Sequence, residues 1–413
     1  MKVWIVSIGD PLPTDGDNIR LRRIGNIAQC FANTGHQVEW FTVSFDHYKK
    51  VQRCNRDKDI IINDNFVIHL LYTKGYKKNI SISRIIHHKI AEKKIYKKMN
   101  QLSEPDIIIA TMEPLEISKI ATIYGEKKSI PVIIDIQDLW PEIYYEVINK
   151  RLHFLLFFYV SLCRKKLRES MSKAYSIIAL SNDFLEYGIG FSGRKKCKFD
   201  KVFPMAYPNY NYEEYKNKFD EYWGKYNLKK DDFIIVFFGN FGNQFDFTSI
   251  IEASKILIKN KKIKFVLCGT GAQLKNIQKN VLSNVIFPGW IEQEEISSLA
   301  INSNLGIAPY INSINYTKNA PNKFGEYLSA GLPILVSVGG VMEDMLNKKE
   351  CGYRYKNYSD LVNIINDYFE NNKKLSIHSE NARKLFEEKF NGDFEYKKIV
   401  NHCINIKKYI DKL

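Results

Sequence analysis

The chain predicts an α/β protein of two Rossmann-like, doubly wound domains in series, facing across a cleft. Three observations carry this. Apolar runs of strand length alternate with segments of helical period from end to end. Two such arrays follow one another, separated by a stretch with neither period. Glycine, proline or polar residues gather just after one strand run after another, where open parallel sheets gather their ligands. The 413 residues, 45% hydrophobic and 26% charged, suffice for two cores.

In the first array the strand candidates are Val3–Ser7, Gln37–Val43, Phe66–Tyr72, Asp106–Ala110, Val132–Ile136 and Ser176–Leu180. A helix over 19–34, closed by Gly35, joins the first two. Phe203-Pro204-Met205-Ala206-Tyr207-Pro208-Asn209 breaks the pattern, so the domains are read as 1–205 and 206–393, with a Tyr-rich helix candidate at Tyr212–Tyr226. The second array runs through Phe233–Phe238, Lys264–Cys268, Val285–Phe287, Leu305–Ala308 and Pro333–Val338.

The formal charge is +15, and it is uneven: residues 1–205 carry 33 of the 61 Lys and Arg but 22 of the 46 Asp and Glu. The first half is therefore expected to face an anionic partner. Between Lys74 and Lys98 lie nine basic residues and one acid, with Ile82, Ile85, Ile86 and Ile90 at helical spacing. The apolar run Leu152–Tyr159 leads into Arg164-Lys165-Lys166-Leu167-Arg168. Basic amphipathic helices beside an apolar one suit an anionic membrane surface, although a core helix with a solvated lysine face has the same pattern. A nucleic-acid partner is not expected, because no RNA- or DNA-binding motif accompanies the charge.

The seven cysteines are scattered and odd in number, with no C-x-x-C pair, which points to a reducing compartment. The start is too short and too soon polar for a signal peptide, and no apolar stretch reaches the ~20 residues of a spanning helix. The expected location is cytoplasmic, peripheral on the inner face of the cytoplasmic membrane. The eight histidines show no metal-ligand spacing, so no metal site is expected.

Four loops carry the candidate chemistry. Gly9 to Arg23 opens a helix with Arg20, Arg22 and Arg23 behind Gly16, an anion or acceptor site in candidate form, though it lacks G-x-G-x-x-G. Strand Val132–Ile136 ends in Gln137 and Asp138 before Trp140-Pro141. The second array places Gly239, Asn240 and Gly242, then Gly269, then Trp290 and Ile291, after successive strands. Last, Pro321-Asn322-Lys323-Phe324-Gly325-Glu326-Tyr327-Leu328-Ser329-Ala330-Gly331-Leu332-Pro333 reads as a loop, a short helix and a strand start. A helix N-terminus there accepts phosphate oxygens, Lys323 adds a cation, and Glu326 can accept hydrogen bonds from sugar hydroxyls.

Together these segments resemble the GT-B glycosyltransferases of family 4, in particular bacterial transferases of the N-acetylfucosamine type that build O-antigen or capsule. The resemblance rests on the arginine-rich first loop with Gly35-His36-Gln37-Val38, on Asp138-Leu139-Trp140-Pro141-Glu142, on Gly239-Asn240-Phe241-Gly242, and above all on Pro321–Leu328 with Ala330–Pro333. It implies an N-terminal acceptor domain and a C-terminal donor domain, with the last helix, 394–413, crossing back to the first. It implies retaining transfer from a nucleotide-diphosphate sugar, UDP favoured, to a lipid-linked glycan, with no metal and no cofactor. Asp138, Gln137 and Lys323 are the catalytic candidates. Glu326, Asn322, Phe324, Lys318 and the second-array loop residues would hold the donor, and Gly16, Arg20, Arg22 and Arg23 the acceptor.

The chain departs from the family pattern in four places. Lys318 stands where a first glutamate is usual, Gln137 where a histidine is common, and Asn240 and Asp246 where an Arg and a Lys often grip the diphosphate. These departures keep open a second reading, a catalytically inactive homologue acting as a membrane-associated partner in polysaccharide assembly.

Overall fold

The computed structural model describes residues 1–16 and 19–412. The chain forms two units, Met1–Pro204 with Phe394–Leu413, and Met205–Asp393.

The first unit holds β1 (Lys2–Val6), β2 (Gln37–Val43), β3 (Phe45–Asp46), β4 (Val51–Gln52), β5 (Lys58–Asn63), β6 (Phe66–Leu71), β7 (Ile107–Thr111), β8 (Val132–Ile136), β9 (Ser176–Ala179) and β10 (Lys201–Val202). Eight of these make one sheet in the order β10-β9-β8-β7-β1-β2-β6-β5, and β3 pairs with β4 as a separate antiparallel ribbon. All neighbours in the large sheet are parallel except β5 with β6. Strands β7 and β8 are buried at every position, as expected of a sheet covered on both faces. Strand β5, Lys-Asp-Ile-Ile-Ile-Asn, is half solvent-facing at the edge. Its charges and lack of clean alternation hid it from the sequence reading, and they are also what keeps an edge from pairing with another chain.

The helix expected over 19–34 runs from Arg23 to Asn33, because Arg22 keeps an extended backbone at the N-cap. The C-terminal helix Gly392–Ile410 buries Tyr396, Ile399, Val400, Cys403 and Ile406.

The second unit contains β11 (Phe233–Phe238), β12 (Ile263–Cys268), β13 (Val285–Gly289), β14 (Leu305–Ala308), β15 (Ile334–Val336) and β16 (Gly352–Arg354). The sheet is wholly parallel, in the order β13-β12-β11-β14-β15-β16. The single helix expected at Tyr212–Tyr226 is instead a chain of short turns, 3-10 at Tyr212–Lys218 and Gly224–Tyr226 around a helix at Phe219–Trp223. Burial of Phe219 and Trp223 fixes that irregular path better than one straight helix would.

Each sheet has one point where the winding reverses. In the first, β1 lies between β2 and β7; in the second, β11 lies between β12 and β14. Ligands of open α/β sheets bind beyond the strand ends at such points. The Gly9–Asp10 and Gly239–Asn240 loops follow these two strands.

Candidate active site

In the second unit the site is built where helix Asn322–Ser329 starts beside the ends of β11 and β12. Tyr327 fixes the helix: its hydroxyl donates to the Ile307 carbonyl at 3.0 Å and accepts the Phe238 amide at 3.3 Å. The N-cap residue is Pro321, whose side chain can make no cap hydrogen bond. Lys323 is 9% exposed, its Nζ 4.7 Å from the Phe237 ring centre and 5.5 Å from that of Phe245. The backbone passes under it without side chains. A Cβ on Gly239 (φ +145°) would displace the Lys323 ammonium from its position, and a Cβ on Gly269 (φ +131°) would overlap the Gly239 carbonyl. Lys323, the Gly239 turn and the Gly269 turn are therefore brought together, though they lie far apart in sequence.

Glu326 sits one turn in, 7% exposed, and accepts the Tyr207 hydroxyl at 2.9 Å. Tyr207 was not read from the sequence; it lies in the aperiodic 203–209 stretch, where no period marks a site residue. Asn322 and Asn240 are exposed, Gly242 and Lys318 are half-buried, and Ile291 is 7% exposed. Trp290 stands out at 68% exposure, with Nε1 donating to Glu292 at 3.1 Å. Phe324 corrects an expectation. Its side chain is wholly buried, with its ring centre 5.6 Å from that of Phe390, so the ring packs the core and only the backbone of Phe324 lies at the helix start.

In the first unit parallel strands deliver a second polar group to one edge. Asp10 follows β1, Glu113 follows β7 and Asp138 follows β8. Withdrawal from water raises all three carboxyls above their ordinary range, Asp138 to about 6 against the pull of Arg22, and Glu113 furthest, with Asp138 and Asp135 adding repulsion. Glu113 Oε2 is buried with no hydrogen-bond partner. Carboxyls withdrawn from water in this way hold protons that exposed ones release. Glu113 and Asp10 were missed in the sequence, although the strand-end rule that found Asp138 applies to both.

Arg22 stands over Tyr48, its guanidinium carbon 4.0 Å from the ring centre, and donates to the Tyr48 hydroxyl. The loop before it is pinned by Arg53, which clamps Asp15 through two bonds of 2.6 Å. Gly16 and Arg20 are exposed.

Arg23 does not belong with Arg20 and Arg22. It is 1% exposed, donates to both oxygens of the fully buried Asp135 at 2.8 and 3.0 Å, and also donates to the carbonyls of Phe203 and Pro204. Gln137 donates to the same Asp135 at 3.0 Å. Arg23 is thus an internal strut, and the expectation that it meets an acceptor is corrected.

The basic stretch is likewise split. Lys94 and Lys98 pair with Asp57 and Asp59 beside β5, at 2.7 Å each, whereas Lys74, Lys77, Lys78 and Lys89 are exposed. Among the described residues no helix is long and apolar enough to cross a membrane, and no group of three or more His, Cys, Asp or Glu could hold a metal ion.

These two sheets with flanking helices are the fold of GT-B structures. Residues 218–385, all within the second unit, match the family model described as glycosyl transferases group 1. Among solved structures the chain is similar to the sucrose-phosphate synthase of Thermosynechococcus elongatus, 14% identical over 98% of each chain with TM-score 0.71. It is similar to Anabaena HepE in complex with UDP, 14% identical over 97% of this chain and 99% of that one, TM-score 0.64. It is also similar to WaaG, a glycosyltransferase involved in lipopolysaccharide biosynthesis, 14% identical over 96% and 98%, TM-score 0.67. No curated protein matches the chain.

Proposed function

We propose that the protein is a retaining glycosyltransferase that moves a sugar from a UDP-sugar to a lipid-linked glycan in bacterial surface-polysaccharide synthesis, working at a cytoplasmic membrane surface. The observation that carries this reading is the seat under Lys323, where an uncapped helix start, a buried cation and two side-chain-free turns converge. The glycosyl transferases group 1 match over the same unit supports it, as does HepE, solved with UDP.

The donor's diphosphate lies at the start of helix Asn322–Ser329. Helix N–H groups and the Lys323 ammonium take up the charge that grows on the leaving diphosphate, in a place where water screens it little. Glu326, oriented by Tyr207, accepts hydrogen bonds from ribose hydroxyls. In transfer, the bond from the anomeric carbon to the diphosphate oxygen breaks and a bond to the acceptor oxygen forms on the same face. The acceptor's hydroxyl proton leaves with the diphosphate. Asp138, ionised above pH ~6, holds that hydroxyl in place, with Gln137 beside it and Arg20 and Arg22 toward acceptor phosphate.

The membrane part rests on helix His153–Lys173, which leaves Phe154, Phe157, Phe158 and Leu162 each more than half exposed. An apolar patch of that size on a basic surface marks an interaction face.

Nucleotide titration calorimetry tests the core of the proposal. Lys323→Ala is expected to weaken UDP by about 1.5–3 kcal/mol, the range for a charged hydrogen bond, and uridine much less. Equal losses for both ligands would remove Lys323 from the diphosphate. UDP binding without UDP-sugar turnover on any lipid-linked acceptor would favour the inactive, partner-protein reading raised by Lys318, Gln137, Asn240 and Asp246.

A further inference from the structure

Between the start of helix Ile82–Met99 and helix His153–Lys173 of the first unit runs a groove of about 370 Å³. Its walls are mainly apolar, with Ile82, Ile85, Leu152, Leu155 and Tyr159 among them. Its volume falls within the roughly 300–1,000 Å³ of small-molecule sites. Leu152 and Leu155 are about half exposed and Ile82 more so, so the groove is an unfilled apolar surface rather than part of the core.

One end of the groove is cationic. Arg84 lines it, donates Nη1 to the Asn79 carbonyl at 2.8 Å, and lies 5.2 Å from the Trp140 ring centre. Its Nε is buried and has no hydrogen-bond partner. A buried guanidinium N–H without an acceptor is costly, and an incoming anion would satisfy it. Lys50 reaches Asn79 Oδ1 at 2.6 Å, the same residue whose carbonyl accepts Arg84, and burial, with Arg84 adding repulsion, lowers its pKa. His47, pushed down to about 4 by burial and these cations, stays neutral and adds no charge. Trp140, beside Arg84, is two residues along the chain from Asp138. Lys77, Lys78, Lys150 and Arg151, all exposed, lie close in sequence to the groove residues Asn79 and Leu152.

We propose that this groove takes the hydrocarbon chain of the acceptor lipid, with the lipid's phosphate held by Arg84 and Lys50. The proposal rests on reading the first unit as the acceptor unit, and it adds a discrete tail site to the flat membrane face. The two are separable on helix His153–Lys173. Leu152 and Leu155 line the groove, while Phe154, Phe157 and Phe158 do not.

Farnesyl diphosphate and inorganic diphosphate, titrated into the full chain with UDP present throughout, test the proposal. Farnesyl diphosphate is expected to bind at least about tenfold tighter than inorganic diphosphate. Leu155→Asp should abolish that advantage, Arg84→Gln should weaken both ligands alike, and Phe158→Asp should change neither. Leu152→Asp provides a second groove variant should Leu155→Asp misfold by circular dichroism. An equal affinity for the two ligands, or a chain advantage that survives both groove variants or disappears with Phe158→Asp, would overturn the tail site. UDP affinity, measured separately, reports on the donor reading, so the two failures are distinguishable.

Discussion

Asp138 has opposite effects on stability and on function. Its carboxyl, ordinarily near 3.8, is raised to about 6 by withdrawal from water, so the folded chain favours its protonated form. Its contribution to stability is present below the ordinary carboxyl range and is lost as pH rises through about 6. Glu113, raised further, acts in the same direction. The proposed role in holding the acceptor hydroxyl needs the ionised form. Turnover should therefore climb between about pH 5 and 7, whereas the stability decline set by Asp138 should fall mainly between about pH 4 and 6. Asp138→Asn should flatten the stability decline and cost most of the turnover. A stability profile unchanged by Asp138→Asn would mean that another group sets it. Arg23 shows what the sequence cannot distinguish at this scale. Arg20, Arg22 and Arg23 look alike in sequence, yet the third is buried against Asp135. Breaking a buried pair of this kind typically costs about 3–5 kcal/mol, because the remaining charge is left uncompensated.

Helix His153–Lys173 puts buried Leu156, Val160, Cys163 and Leu167 on one face and exposed Phe154, Phe157, Phe158 and Leu162 on the other. A run that is apolar all round reads in sequence as either a core helix or a membrane face, and here it is both. Only packing against the helix Leu115–Lys128, through contacts such as Ser118 to Ser170 at 3.4 Å, decides which residues are left outside. With exposed aromatics facing lipid and each nearby Lys or Arg adding about 1 kcal/mol, the first unit should float with anionic vesicles at low salt. Phe158→Asp should reduce flotation several-fold without altering UDP affinity. Flotation equal to wild type would leave this face as ordinary solvated surface.

Taken as a whole chain, the two units should respond differently to nucleotide. Hydrogen exchange with and without UDP is expected to slow at 239–242, 269–271 and 321–328, because the amides of these turns and of the helix start would face the diphosphate. A ligand at 100 times its dissociation constant adds about 2.7 kcal/mol to the unit that binds it. Protection confined to the loops after β1, β7 and β8 would place the nucleotide in the wrong unit.

Alternating periods and strand-end glycines determined, by themselves, the two-sheet α/β class and strands β1, β2, β6 to β9 and β11 to β15, because burial on both faces leaves continuous apolar runs. They also marked Asp138, Lys323 and Glu326, since strand ends and helix starts are local signals. Strands β3, β4, β5, β10 and β16 stayed hidden: ribbons and edges are short or charged, and hydrogen bonding to a neighbour, not sequence, makes them strands. The tertiary structure alone decided that Arg23 and Phe324 face inward, that Tyr207 meets Glu326, that Asp10 and Glu113 share an edge with Asp138, and that an apolar groove ends at Arg84. Each of these depends on residues tens to over a hundred positions apart meeting in space, and no local pattern records such meetings.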